Sequence, residues 1–245
     1  MDGARTLTLA SAGTATINGA VGGTTALTSL TASGLVALNS GVVNTTGTQT
    51  YGVLTLGADT TLTSSASGAV TFNGAVGAQS GQSLAVNTAG ATIFNAAVTG
   101  LGSLSTDLPG TNTVAANLST TGDLQLRGNT TLSGTPRTLT SAEGSVLLDG
   151  TVNGGTALTI TSAEGATITG AVGGTSALTS LTINGAATLN GGSVSTSGAQ
   201  TYGALTLGAN TTLTSSSSGA ILLGGPVSGG TTSSLTVNTG GACCW

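Results

Sequence analysis

The feature that most constrains this chain is that it repeats itself at two length scales. Residues Gly19 to Thr88 align without a gap onto Gly170 to Thr239, with about 44 of 70 positions identical at an offset of about 151. GAVGGTTALTSLT, starting at Gly19, returns as GAVGGTSALTSLT at Gly170, and Tyr51 in TQTYGVLTLGADTTLTSS returns as Tyr202 in AQTYGALTLGANTTLTSS. A shorter period runs inside the long one. TSAEG at Thr140 recurs at Thr161, VTFNGAV at Val70 recurs as TIFNAAV at Thr92, and Leu62 and Leu213 are followed by Leu84 and Leu235. The unit is therefore about 20 to 24 residues, a length typical of stacked repeats whose single copies cannot bury a core alone.

Each unit consists of short segments of alternating character, such as RTLTLA, TATING, ALTSLT and SVLLDG, punctuated by GG, NG, SG or SAEG. Period-2 alternation bounded by turn residues indicates strands, and β-branched Thr and Val supply the strand propensity. Gly recurs too often for a helix of ordinary length. Antiparallel hairpins would not require a residue to stack on its own copy, whereas a parallel coil places each position about 4.8 Å above its equivalent. The period thus predicts an all-β fold, a right-handed parallel β-helix (β-solenoid) of about 10 to 12 coils and on the order of 50 Å long. Residues 1 to 240 read as a single solenoid domain and 241 to 245 as a disordered or non-native tail.

Composition follows from such a coil. Gly (42 residues), Thr (about 50) and Ser (about 28) make up roughly half of the 245 residues, which resembles a disorder signature. Disorder also demands low hydrophobicity, yet 38% of the residues are hydrophobic and the mean hydropathy is +0.38. In a solenoid, Leu, Val, Ile and Ala fill a narrow lumen, Thr and Ser cover the outside, and Gly turns the corners. Leu56 and Leu207 are examples of expected inward positions. Charged residues are scarce at 4%, because one ionised side chain per coil would build a like-charged column.

The inventory excludes many functions. Without His or Lys there is no histidine base or ligand and no Schiff-base or P-loop lysine. A net charge of −4 with only Arg5, Arg127 and Arg137 as basic residues argues against nucleic-acid binding. No apolar run approaches the ~18 residues of a membrane span, and no charged segment followed by an apolar run opens the sequence as a secretory signal would. Cys243 and Cys244 are the only cysteines, so the body of the chain is compatible with an oxidising compartment but makes no use of it.

The runs TYGALTLGANTTLTSSSSGAI, FNGAVG, SLTVNTGG and GAVGGTSALTSLTINGAATLNGGSV resemble the repeat region of large bacterial surface exoproteins of the filamentous-haemagglutinin type, exported by two-partner secretion. The resemblance extends from about Leu7 to Thr239 and is one of repeats and composition, without an active-site motif. It implies a right-handed β-helical stalk, a secreted or cell-surface location on a bacterium, and a part in adhesion or biofilm formation. The chain contains no recognisable secretion domain, membrane barrel or adhesive cap, and it ends in Ala-Cys-Cys-Trp, so it reads as a fragment of a larger array. Contacts with host surfaces or glycans would then belong to other regions of the parent protein.

Glu143 and Glu164, 21 residues apart, would stack in adjacent coils and could share a calcium ion, or simply be solvated turn residues. Arg137 with Asp149, or Arg127 with Asp123, invites comparison with carbohydrate-active β-helices, but the charges look scattered singly along the chain. Thr140, Thr161 and Thr182 suggest a threonine ladder of the kind an ice- or surface-binding solenoid would use. Phe72 and Phe94 are expected to stack in the lumen, with Tyr51 and Tyr202 in core or turn packing or outside. Asn44, Asn117, Asn129 and Asn210 begin glycosylation-type triplets and are assigned no role. The reading is of a non-enzymatic stalk with no catalytic, cofactor-binding or metal-binding residues. Its alternatives are an ice- or surface-binding solenoid and a carbohydrate-active β-helix, and its open ends invite end-to-end self-association.

Overall fold

A computed structural model describes residues 1–244 as a β-solenoid of about 11 turns with about 21 residues per coil. No helix occurs among the described residues, so none is long and apolar enough to cross a membrane. Each turn contributes strands to three faces, here numbered in chain order. Face 1 begins with Thr6–Leu9 and face 2 with Thr14–Ile17. Face 3 begins with Val42–Thr45 and continues through ten strands to Val227–Gly229. In two early turns the chain passes from face 1 to face 2 without a break, as the strands Ser29–Leu38 and Gln49–Leu56.

Every pairing between these strands is parallel, so backbone groups bond to the turn before and the turn after. Side chains alternate inward and outward. The inward set forms one apolar cluster from Ile17 to Leu223, including the fully buried Leu56 and the nearly buried Leu207 expected there. Burying a column of Leu, Val and Ile at about 1.5 to 3 kcal/mol per side chain is the main stabilising term of a coil that has almost no charge.

The rung step is not constant. It is 18 residues between Asn112 and Thr130 and 24 between Thr60 and Leu84, because the turns differ in length while the strands keep their alternation. As a result Leu62 stacks on Val86, not on Leu84, and Leu213 on Val237, not on Leu235. Thr60 and Thr211 instead occupy the inward positions over those leucines. Their hydroxyls bond back to the Ala58 and Ala209 carbonyls at 2.9 Å each, which satisfies a polar group in an apolar lumen.

Glycine is required where corners of successive turns touch. A Cβ on Gly52 would lie 2.5 Å from the carbonyl oxygen of Gly34, and one on Gly74 would lie 2.5 Å from the carbonyl carbon of Gly52. Cys243–Cys244, which sequence alone assigns to a tail, form a short strand paired in parallel with Ile221 and Leu222. Cys243 is an exposed free thiol, and Trp245 lies outside the described residues.

Candidate functional site

The coil sorts the few charges onto one side. Asp59, Asp123, Glu143 and Glu164 lie in the corner leading from face 2 into face 3, and Asp107, Arg127 and Asp149 lie where face 3 leaves for face 1. Seven of the ten charged residues therefore border one face, which corrects the expectation that they are scattered singly. Spacing along the chain could not show this, because the corner a residue occupies depends on the sum of all preceding turn lengths.

Most of these carboxylates are structural acceptors. Asp59 Oδ1 accepts the Ser83 N–H at 2.8 Å, Asp107 Oδ1 accepts the Thr88 N–H at 2.8 Å, and Asp149 Oδ1 accepts the Thr169 hydroxyl at 2.8 Å. Asp123 Oδ1 accepts both the N–H and the hydroxyl of Ser145 at 2.9 Å, and these bonds, the backbone one first, hold its carboxyl below the usual range. Asparagines do the same work without charge. Asn117, Asn129 and Asn210 accept the N–H groups of Thr138, Thr151 and Ser234 at 2.9 to 3.0 Å, while Asn44 donates to the Gly22 carbonyl at 3.1 Å. The four triplet asparagines are thus fastened to neighbouring turns.

The pairs proposed from sequence are rearranged by the register. Arg127 lies beside Asp149 on the next rung, not beside Asp123, and its guanidinium donates to Gln125 Oε1 at 3.3 Å. Arg137 is largely buried and donates from Nε to the Ser133 carbonyl at 2.8 Å. Glu143 and Glu164 are exposed in the turns of consecutive coils, and no group of three or more potential metal ligands gathers among the described residues.

Inside the lumen lies a motif that sequence reasoning missed. Tyr51 is fully buried and donates its hydroxyl to Gln49 Oε1 at 2.7 Å, while Gln49 Nε2 donates to the Thr63 carbonyl at 2.8 Å and to Thr45 Oγ1 at 3.1 Å. Gln200 and Tyr202 repeat the network, with 2.8 Å from Tyr202 to Gln200 and 2.8 Å from Gln200 to the Thr214 carbonyl. Burial pushes both phenols far above their ordinary range. The duplicated Gln-x-Tyr was the available signal, since an inward glutamine is tolerable only with such partners. The expected Phe72–Phe94 stack is present at 5.2 Å between ring centroids, and Tyr51 extends it at 5.6 Å from Phe72.

The threonine columns also differ from expectation. Thr182 stacks on Thr159, not on Thr161, giving the column Thr138, Thr159, Thr182 and Thr201 on face 2. A longer column runs down face 1 through Thr8, Thr31, Thr50, Thr71, Ile93, Thr113, Thr131 and Asn153. Face 3 carries shallow depressions instead. The largest, about 380 Å³, is lined by residues including Asp107, Leu108, Gln125 and Arg127, and two more lie beside it.

The three faces around a filled lumen define the class, a parallel β-solenoid with polar outer surfaces. Comparison with family models, with curated proteins and with solved structures finds no match for the chain.

Proposed function

We propose that the chain is a structural, non-enzymatic rod segment. It serves as a stalk or spacer of a secreted or surface-displayed bacterial adhesin of the filamentous-haemagglutinin type. The observation that carries this reading is the unbroken parallel stacking of about 11 turns on one apolar core. A rod of this kind resists bending because flexing it would open hydrogen bonds and lumen contacts in several turns at once. Its acids and amides are largely employed in fastening turns together, which suits a mechanical role better than a chemical one. The test is to display a binding domain on a bacterial surface, either through this chain or through a Gly/Ser linker of equal residue number. Adhesion that gains reach and strength through the solenoid is expected, and equal adhesion through the flexible linker would overturn the proposal.

A second reading has a specific observation in its favour. The face 1 column of six threonines over eight rungs carries no charge, and Thr6, Ser29, Ala91 and Thr111 flank it on the same strands. A regular array of hydroxyls and methyls about 4.8 Å apart is the surface that an ice- or crystal-binding solenoid needs. Thermal hysteresis and ice shaping by the purified chain test it, and their absence would remove it.

A further inference from the structure

The three depressions on face 3 are one trough. Its floor is the outward column Thr61, Ala85, Ser105 and Gln125, in register on four successive rungs. The half-exposed Val42 precedes Thr61 in that column and the bulkier Leu147 follows Gln125, so larger apolar side chains bound the small polar floor at both ends. Four rungs at about 4.8 Å spacing make a trough on the order of 14 Å long.

The walls are polar. Asp59, Ser83, Ser103 and Asp123 stand along one side, and Asn87, Asp107 and Arg127 along the other, with the exposed Leu108 beside them. At the last rung Asp123, in the corner before the strand Leu124–Arg127, and the outward Gln125 and Arg127 on that strand span the trough from wall to wall. Gln125 Oε1 accepts from the Arg127 guanidinium at 3.3 Å. The bonds that fasten Asp59, Asp107 and Asp123 to their neighbouring turns all use Oδ1. Arg127 is exposed and offers five N–H donors, of which the one contact to Gln125 engages a single nitrogen.

From this geometry we infer that the face 3 trough is a binding site for a neutral glycan chain lying along the rod. Both walls mix donors and acceptors, Ser83, Ser103, Asn87 and Arg127 beside Asp59, Asp107 and Asp123, which fits a ligand that presents hydroxyls on all sides. Three carboxylates against one guanidinium repel a polyanion, so sulfated or uronate chains are disfavoured. A peptide strand fits poorly, because the sheet backbone here is paired on both sides and the trough has no apolar pocket for side chains. The site adds a lateral contact to the proposed stalk and does not depend on it.

The test uses the full chain and cellohexaose, with hexagalacturonate as the charged comparison, read by calorimetry and by amide shifts in NMR. Cellohexaose is expected to bind in the millimolar range, with shifts concentrated at residues 83–87, 103–108 and 123–127. The double variant Q125A/R127A should weaken binding about tenfold while melting like the parent, since both side chains point outward. T182A/T201A, on face 2, should leave binding unchanged and controls for general surface effects. Absence of cellohexaose binding at tens of millimolar, undiminished binding by Q125A/R127A, or hexagalacturonate binding as tight as cellohexaose would each overturn the inference.

Discussion

The two copies of the long repeat occupy different positions around the same rod. From Gln49 on face 1, seven rungs along that face lead through Val70, Thr92, Asn112, Thr130, Val152 and Val172 to Val194, and one step further round reaches Gln200 on face 2. The 151-residue repeat therefore spans seven turns and a third, and the second copy is rotated by one face. Local geometry survives the rotation. Ser67 and Ser218 both have φ near 60°, and Asp2 and Asn153 accept the N–H groups of Thr24 and Thr175 at 2.9 Å each. What changes is the company each copy keeps. Tyr51 stacks on Phe72, whereas Tyr202 lies between Ile183 and Leu223. A strand–turn–strand segment is specified by its own residues and accepts any face, while its stacking partners are set by the turns above and below.

The largest expected effects test that difference. Tyr51→Ala and Tyr202→Ala should each cost about 3 to 5 kcal/mol in denaturant unfolding, from the cavity and the orphaned glutamine oxygen. Tyr51→Ala should cost about 0.5 to 1.5 kcal/mol more, because only that ring belongs to an aromatic stack. Equal losses would mean that the stack adds nothing beyond burial.

Gly52→Ala and Gly203→Ala come next, at about 1 to 3 kcal/mol each, since an added methyl meets the Gly34 and Gly185 carbonyls of the preceding turn. Similar losses are expected on both faces, and a tolerated alanine at either site, read by thermal melting, would show that its corner can spread. Gln49→Leu and Gln200→Leu should lose about 1 to 3 kcal/mol each through the unpaired tyrosine hydroxyl and backbone carbonyl. A double-mutant cycle with Tyr→Phe in the same copy should recover part of the loss.

The smallest effect separates the copies by pH. At corners 151 residues apart, Asp59 of the first copy and Asp2 ahead of it stand where Asn210 of the second copy and Asn153 ahead of it do. The Thr24 N–H, and then the Thr25 N–H, hold the Asp2 carboxyl below its usual range. A carboxyl depressed in the folded state stabilises above its ordinary pKa of about 3.9, and that contribution fades as pH falls through the lower folded value. Hydrogen exchange corrected for intrinsic rates should therefore show Thr24 losing protection in acid while Thr175 keeps it. Parallel behaviour of the two amides would contradict the assignment, and Asp2→Asn should make them alike.

Much of the fold was legible in the residues. The short period, the alternation around Leu56 and Leu207 and the Phe72–Phe94 spacing pointed to a filled parallel coil, because each depends only on neighbours a few residues away or one turn away. Features that depend on several turns were not legible. Of the Thr140, Thr161 and Thr182 column the first step holds and the second fails, because the next turn is longer than its predecessor, so Thr161 meets Asn184. The face 3 trough was hidden for the same reason, and Gln49 was overlooked because a polar residue in an alternating strand looks outward until its inward partners are known.

By itself the sequence determined that this chain coils and that its alternating Leu, Val and Ile side chains face the lumen. These are short-range consequences of alternation, glycine corners and repeat length. Tertiary structure alone decided which residues stack, that the second copy is turned by one face, and that Asp59, Asp107, Asp123 and Arg127 border a common trough. Register is the running sum of turn lengths, and a difference of two or three residues in one turn redirects every column that follows it.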